Sequence, residues 1–223
     1  MTKYMDVIYG YMNYSYVYKL CKYIQDRYNL QPNMKLLDIG CGSCIHLRMF
    51  RLLGLDAYGV DKRIEIDDEK VKKCNIENEK LPFKDNSFDV IFSKSLLEHV
   101  QDPDNFIKES YRVLRKNGII IILVPDWKSQ LKHYWDDYTH CKAWTYKGLK
   151  DCLIINNFRN VECEYFYQLP FVWKHSYIGK IVTKIVSILP DSLKWKDKDM
   201  RNGKDRKLIR FSKELMLLAS GYK

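Results

Sequence analysis

Gly40 and Gly42 stand one residue apart at the end of a short apolar run, KLLDIGCGS over 35–43. Neither has a Cβ, so a backbone turn there can come into contact with a ligand. Asp38 lies inside that run, and Asp61 follows 19 positions after Gly42. A carboxylate at the end of a second strand, at about that distance, accepts hydrogen bonds from ribose hydroxyls. The second chemistry is proton abstraction. His140, with Asp137 in reach to orient it, and His99 in Leu97-Glu98-His99 are the candidates, since imidazole titrates near neutral pH. The alternative for both is structural, His140 bonding across its own loop and His99 capping the helix that follows. His46, His133 and His175 read as packing or surface residues. Cys41 and Cys44 form a C-x-x-C inside the glycine turn. No second pair or matching histidines accompany it, so no metal site is expected.

The elements that must position these groups alternate. Val17, Cys21, Ile24 and Tyr28 recur at helical spacing, predicting a helix from Tyr14 to about Tyr28 that Gln31-Pro32-Asn33 ends. The glycine-turn strand passes into a helical pattern, Ile45 to Leu53, closed near Gly54. A second strand, Ala57 to Asp61, ends in its acid. A third strand is expected at Lys73 to Ile76, after a charged helix or loop over Lys62 to Lys73, and a fourth at Phe88 to Phe92. Asp102-Pro103 should start a helix that Asn117-Gly118 ends, followed by a fully buried fifth strand, Ile119 to Val124. Thr145 caps a further helix. Val161 to Tyr167 and Glu214 to Ala219 read as the last strands. This alternation argues an α/β fold with a parallel sheet covered by helices on both faces.

The sequence has 223 residues, 46% of them hydrophobic, which suits one domain over 1–223. Within it, 1–34 reads as an N-terminal helical cover, 35–167 as the core sheet, 168–210 as a basic helical insertion and 211–223 as the last strand. Lys and Arg outnumber Asp and Glu by 38 to 28, a formal charge of +10, which favours an anionic partner or surface. Seven irregularly spaced cysteines, behind first residues without a secretory apolar core, suggest reduced thiols and a cytoplasmic protein. No apolar run approaches the about 20 residues that span a bilayer.

The segments LLDIGCGS, AYGVDKR, LPFKDNSFDVIFSKSLLEHVQDP and FIKESYRVLRKNGIIIILVP together resemble the class I S-adenosylmethionine-dependent methyltransferases, within them the type 11 group. The resemblance implies a Rossmann-like, seven-stranded, mostly parallel sheet with an antiparallel last strand, and S-adenosyl-L-methionine as cofactor. By position it implies that Gly40 and Gly42 face the methionine part, that Asp38 orients the loop and the amino group, and that Asp61, with Lys62 beside it, holds the ribose. Asn75 and Ile76 would flank adenine and Ser93 would lie by the methionine tail. The family usually has a third glycine where this chain has Cys44, so a slightly displaced loop is expected. A dinucleotide enzyme fits less well, because position 45 of the G-x-G-x-x-G pattern is Ile.

Tyr134 to Leu149 is similar to a D-D-x-T-H-x-x-x-x-T signature of methyltransferases encoded with polysaccharide and glycolipid genes. It implies a sugar or glycolipid acceptor. Another small molecule, a quinone or RNA are the alternatives, as is a methyltransferase-fold binding protein without turnover. Nucleic acid is disfavoured because no RNA module is visible. In the insertion, Ile178, Ile181, Val182, Ile185 and Leu189 form one apolar stripe beside Lys180 and Lys184, with Phe171, Val172, Trp173 and Trp195 flanking. Such a helix over 171–195 either lies on an anionic membrane surface or packs on the sheet. Lys194 to Arg210 reads as a basic loop.

Overall fold

The buried aliphatic runs of the sequence become neighbouring strands of a single sheet. The computed structural model describes residues 14–64, 68–194 and 206–223. Its strands are β1 (Lys35–Ile39), β2 (Asp56–Asp61), β3 (Val71–Lys73), β4 (Phe88–Lys94), β5 (Leu114–Pro125), β6 (Arg159–Phe166) and β7 (Met216–Tyr222). They lie in the order β3-β2-β1-β4-β5-β7-β6. β1 to β5 pair in parallel, and β7 runs antiparallel to both β5 and β6. The Rossmann-like sheet with its antiparallel last strand is therefore present.

Side-chain alternation divides the core into two layers. On one face Leu37, Ile39, Ile91, Ile120 and Ile122 pack with Phe106, Ile107, Leu149 and Leu153, from α3 (Asp104–Val113) and α4 (Tyr146–Ile155). On the other, Leu36, Val90, Phe92 and Ile121 meet Leu20, Ile24, Leu47 and Phe50, from α1 (Tyr14–Arg27) and α2 (Ile45–Leu52). Thr145 caps α4 as its residue type suggests, its Oγ1 accepting the Gly148 N–H at 3.1 Å.

Several boundaries differ from the sequence expectation. The third strand is Val71–Lys73, not 73–76, because Gly59, Val60 and Asp61 of β2 pair with those three residues. Asn75 and Ile76 thus sit in the turn beyond it. α3 ends at Val113, not near Asn117. The chain re-enters the sheet at Leu114 opposite Phe88, then shifts register so that Ile119 faces Val90. Asn117 takes a left-handed conformation within that irregularity, and a Cβ on Gly118 would come within 2.5 Å of Leu114 Cδ2. β7 starts and ends later than expected because its partners extend to Pro125 and Arg159.

Between β6 and β7 lie α5 (Pro170–Lys174), α6 (Ser176–Val186) and α7 (Lys207–Lys213). The part of the expected basic loop from 207 onward is helical, and 195–205, with Trp195, lies outside the described residues. The apolar stripe of α6 does not pack on the sheet. Ile178, Ile181 and Ile185 are 65%, 45% and 63% exposed, and the helix seats itself through buried Gly179 and Thr183. A Cβ at Gly179 would stand 2.7 Å from the Val172 backbone, so the close α5–α6 approach depends on glycine.

Candidate active site

The parallel strands β1, β2 and β4 end on one edge of the sheet, where open α/β folds bind ligands. A cavity of about 510 Å³ opens there. Gly40, Cys41 and Gly42 form one wall, Asp61, Lys62, Asn75, Ile76 and Glu77 another, and Lys94, Ser95, His99 and Thr139 also line it. α1 contributes Tyr16 and Val17 as a cover.

The glycine turn is tied to the end of β2. The N–H groups of Gly40 and Cys41 donate to the Val60 carbonyl at 2.8 and 3.1 Å. Asp61 Oδ2 accepts the Gly42 N–H at 3.0 Å and Oδ1 accepts the Arg63 N–H at 2.8 Å. Gly40 has φ +79°, and a Cβ there would meet Leu96 at 2.9 Å. Cys44 takes the left-handed conformation, φ 59°, that a glycine would adopt freely. Its buried thiol lies 3.5 Å from that of Cys41, with no disulfide between them.

Asp38 and Ser93 lie behind this wall and are not among its lining residues. Ser93 donates to the Ile39 carbonyl at 2.9 Å, bracing β1 against β4. Asp38 is 2% exposed, and its Oδ2 has no hydrogen-bond partner among the described residues. Burial first, then the neighbouring Cys44 and Asp61, push its carboxyl well above the usual range. Asn75 and Ile76 are held by a turn in which Asn75 Oδ1 accepts the Glu77 N–H at 3.4 Å and Asn105 Nδ2 donates to the Ile76 carbonyl at 2.8 Å. Lys62 Nζ stands 3.9 Å from Glu77 Oε2.

The two histidines occupy different places. His99 lines the cavity and His140 does not, although their rings are 4.8 Å apart. Asp137 serves His99 rather than His140. Its Oδ1 accepts the Thr139 hydroxyl at 2.6 Å, and that oxygen contacts His99 Nδ1 at 2.9 Å, whereas His140 Nε2 is 3.9 Å from Asp137 Oδ2. A carboxylate only accepts, so the Thr139 proton is committed to Asp137. His99 Nδ1 must then carry the hydrogen, leaving Nε2 with its lone pair. His140 Nδ1 donates to the Tyr134 carbonyl at 2.6 Å.

The electrostatics suit a neutral base. Burial, then the adjacent His140, lowers the pKa of His99. Burial would raise that of Asp137, but the Thr139 hydroxyl and N–H outweigh it and hold the carboxyl below its ordinary value. Glu98 is buried beneath the pair and pushed up to about 8. Ligand atoms of Glu98, His99 and His140 lie within 4.8 Å of one another, among the described residues the one cluster with spacing for a metal.

Among the lining residues that the sequence reading did not assign to the site are His46, Lys94 and Tyr16. His46 is held neutral by burial, with a pKa of about 3, and packs on Phe92. Burial lowers the pKa of Lys94, against the opposing pull of the nearby Glu98, Cys21 and Asp38. Its signal was a lone cation closing the apolar strand FDVIFSK. Tyr16 had no distinguishing signal among 17 tyrosines.

Residues 37–122 match the family model described as a methyltransferase domain. Over 102 residues the chain is 40% identical to the ubiquinone biosynthesis O-methyltransferase of Pelagibacter ubique, covering 40% of this chain and 41% of that protein. Over 108 residues it is 30% identical to phosphoethanolamine N-methyltransferase 3 of Arabidopsis thaliana, covering 44% and 22%. The chain thus spans half or less of these curated relatives. Among solved structures, an Archaeoglobus fulgidus SAM-dependent methyltransferase superposes with TM-score 0.61 at 20% identity, over 99% of this chain and 98% of that one. Phosphoethanolamine N-methyltransferase 2 of Haemonchus contortus, in complex with S-adenosyl-L-methionine, superposes with TM-score 0.62 at 16% identity, over 99% and 59%. The chain therefore has the Rossmann-like methyltransferase fold, and its matched segment, 37–122, supplies the glycine turn, Asp61 and His99 of the cavity lining.

Proposed function

We propose that this protein is an S-adenosylmethionine-dependent methyltransferase acting on a hydroxyl of a small molecule. The observation that carries this reading is the glycine turn locked to the Asp61 carboxylate at one wall of a cavity that His99 also lines. A cavity of about 510 Å³ falls within the roughly 300–1,000 Å³ of ordinary small-molecule sites. The donor set also fits the cofactor. Gly40 and Gly42 allow close backbone approach, and Asp61 retains acceptor capacity for the two ribose hydroxyls, while Asp38 stands behind the turn with its Oδ2 unpartnered among the described residues.

When bound, S-adenosylmethionine supplies an electrophilic methyl group. The chain's own work is to hold the acceptor oxygen in line with it at about 3 Å and to exclude water. His99, held as the Nδ1–H tautomer by Thr139 and Asp137, takes the acceptor's proton on Nε2. His140, second to His99 in this arrangement, supports the Tyr134–Thr139 segment. A positioned base of this kind contributes about 10²-fold or more.

For the acceptor, the relatives named above are named for ubiquinone biosynthesis and for phosphoethanolamine. The finer reading, a sugar or glycolipid hydroxyl, is supported by the resemblance of Tyr134 to Leu149 and by the place of Thr139 in the cavity wall. Calorimetry with S-adenosylmethionine tests the cofactor. Labelled methyl transfer into extracts separated into quinone, saccharide, lipid and RNA fractions tests the acceptor. Absence of cofactor binding would sink the whole reading, and label confined to RNA would sink the small-molecule part.

A further inference from the structure

A second concavity, about 880 Å³, opens on the same edge of the sheet as the candidate active site. β6 runs parallel to β5, so its end at Phe166 and the end of β5 at Pro125 share that edge with β1, β2 and β4. Six lysines line the groove: Lys128, Lys132, Lys180, Lys184, Lys194 and Lys213. Three are paired with carboxylates, Lys132 and Lys213 sharing Asp191, and Lys194 meeting Glu214 at 3.1 Å. Lys128, Lys180 and Lys184 have no carboxylate partner among the described residues, a local excess of positive charge in a chain of net charge +10.

Lys180 and Lys184 belong to α6, whose outer face is apolar. Ile178, Ile181 and Ile185 follow one another at helical spacing, Tyr177 at 79% exposure adds to the patch, and Ile188 at 82% continues it in the turn just past the helix end. An exposed row of isoleucines is costly in water unless something covers it. A helix that seats itself on Gly179 and Thr183 and turns its isoleucines outward, with lysines alongside, has the division of faces of an interfacial helix.

We propose that α6 and the lysine groove form a docking surface for an anionic phospholipid bilayer, the isoleucines entering the acyl boundary and Lys128, Lys180 and Lys184 meeting the headgroup phosphates. Charge complementarity selects this partner, since an apolar protein partner would not need unpaired lysines bordering the patch. Segment 126–140 joins the two features, because Lys128 to His133 line the groove and Thr139 lines the active-site cavity. Docking therefore turns the cavity's edge of the sheet toward the membrane. The proposal goes beyond methyl transfer and stands without it.

The test is flotation of the full chain with liposomes of phosphatidylcholine alone or with 30%, about one lipid in three, phosphatidylglycerol, at low and high salt, beside an RNA homopolymer binding arm. Binding to the anionic vesicles, weakened by salt, is expected. Lys180→Ala with Lys184→Ala should weaken it about 30-fold, at roughly fivefold per lysine. Ile181→Asp with Ile185→Asp should abolish it while leaving the thermal melt unchanged, since both side chains already face solvent. No flotation with anionic vesicles, flotation indifferent to both double variants, or equal binding to neutral vesicles would overturn the proposal. So would binding to RNA alone, or a self-association that Ile181→Asp with Ile185→Asp dissolves without any vesicle binding in the parent chain.

Discussion

Replacing Asp61 with alanine should weaken S-adenosylmethionine binding about 150-fold. The carboxylate is fixed from behind by the Gly42 and Arg63 N–H groups, so its remaining lone pairs are already aimed before a ligand arrives. A ribose presents two hydroxyls to it. A hydrogen bond to a charged acceptor contributes about 1.5–3 kcal/mol. Taking the lower value for each gives about 3 kcal/mol, which is the 150-fold loss. S-adenosylhomocysteine shares the ribose and should lose the same factor, because this contact does not distinguish the methylated from the demethylated ligand. Titration calorimetry with both ligands measures it. Asp61→Asn keeps one acceptor oxygen and should fall between the two. If Asp61→Ala binds within threefold of the parent chain while its melting temperature is unchanged, the assignment of this cavity to an adenosyl ligand is refuted.

Four further outcomes follow from the geometry. His99→Ala should lower methyl transfer about 10²-fold or more with little change in cofactor affinity, and His140→Ala should cost less than about tenfold; equal losses in a labelled-methyl assay would remove the distinction. The reaction needs neutral His99, whose pKa is lowered by burial and by His140, so the rate should fall on the acid side only below the ordinary imidazole value of about 6.5, readable also as a depressed midpoint in an NMR titration of His99. Glu98 has a folded pKa raised to about 8 from 4.5, so its contribution to stability is full below about 4.5 and is lost as pH rises toward 8. Glu98→Gln should therefore stabilise the chain by up to about 3 kcal/mol at pH 7 and by under about 1 kcal/mol at pH 5; the same gain at both pH values in urea unfolding would contradict the argument. Cys44→Gly relieves a left-handed residue at about 1 kcal/mol but removes a buried thiol, so it should leave stability within about 1 kcal/mol, whereas Cys44→Val should be clearly worse.

Much of the fold was legible because continuous aliphatic runs such as Ile119 to Val124 admit little besides a central strand. The glycine turn and Asp61 were legible for a related reason, since close backbone approach and a strand-end carboxylate leave residue-type signatures. The order of the two histidines was not. His140 sits in the longer motif, but the choice depends on which ring reaches the cavity, and Thr139 of that motif links Asp137 to His99, 40 positions away in sequence. The α6 stripe was likewise ambiguous. Its period reads the same whether the isoleucines or the small residues face inward, and only Gly179 lying against Val172 decides it. The early end of α3 escaped because Asn117-Gly118 marks a sheet irregularity here, with the same residue types that close helices.

The main-chain carbonyl of Glu98 accepts the N–H groups of both Cys141 and Lys142, at 2.9 and 3.2 Å. Deuterium uptake at those two amides therefore acts as a clock for the segment that carries Thr139 and His140. Neither amide can exchange while the staple is closed, and both must exchange together when it opens. Their common rate should slow when a ligand fills the cavity, which reports mouth closure without any knowledge of the acceptor.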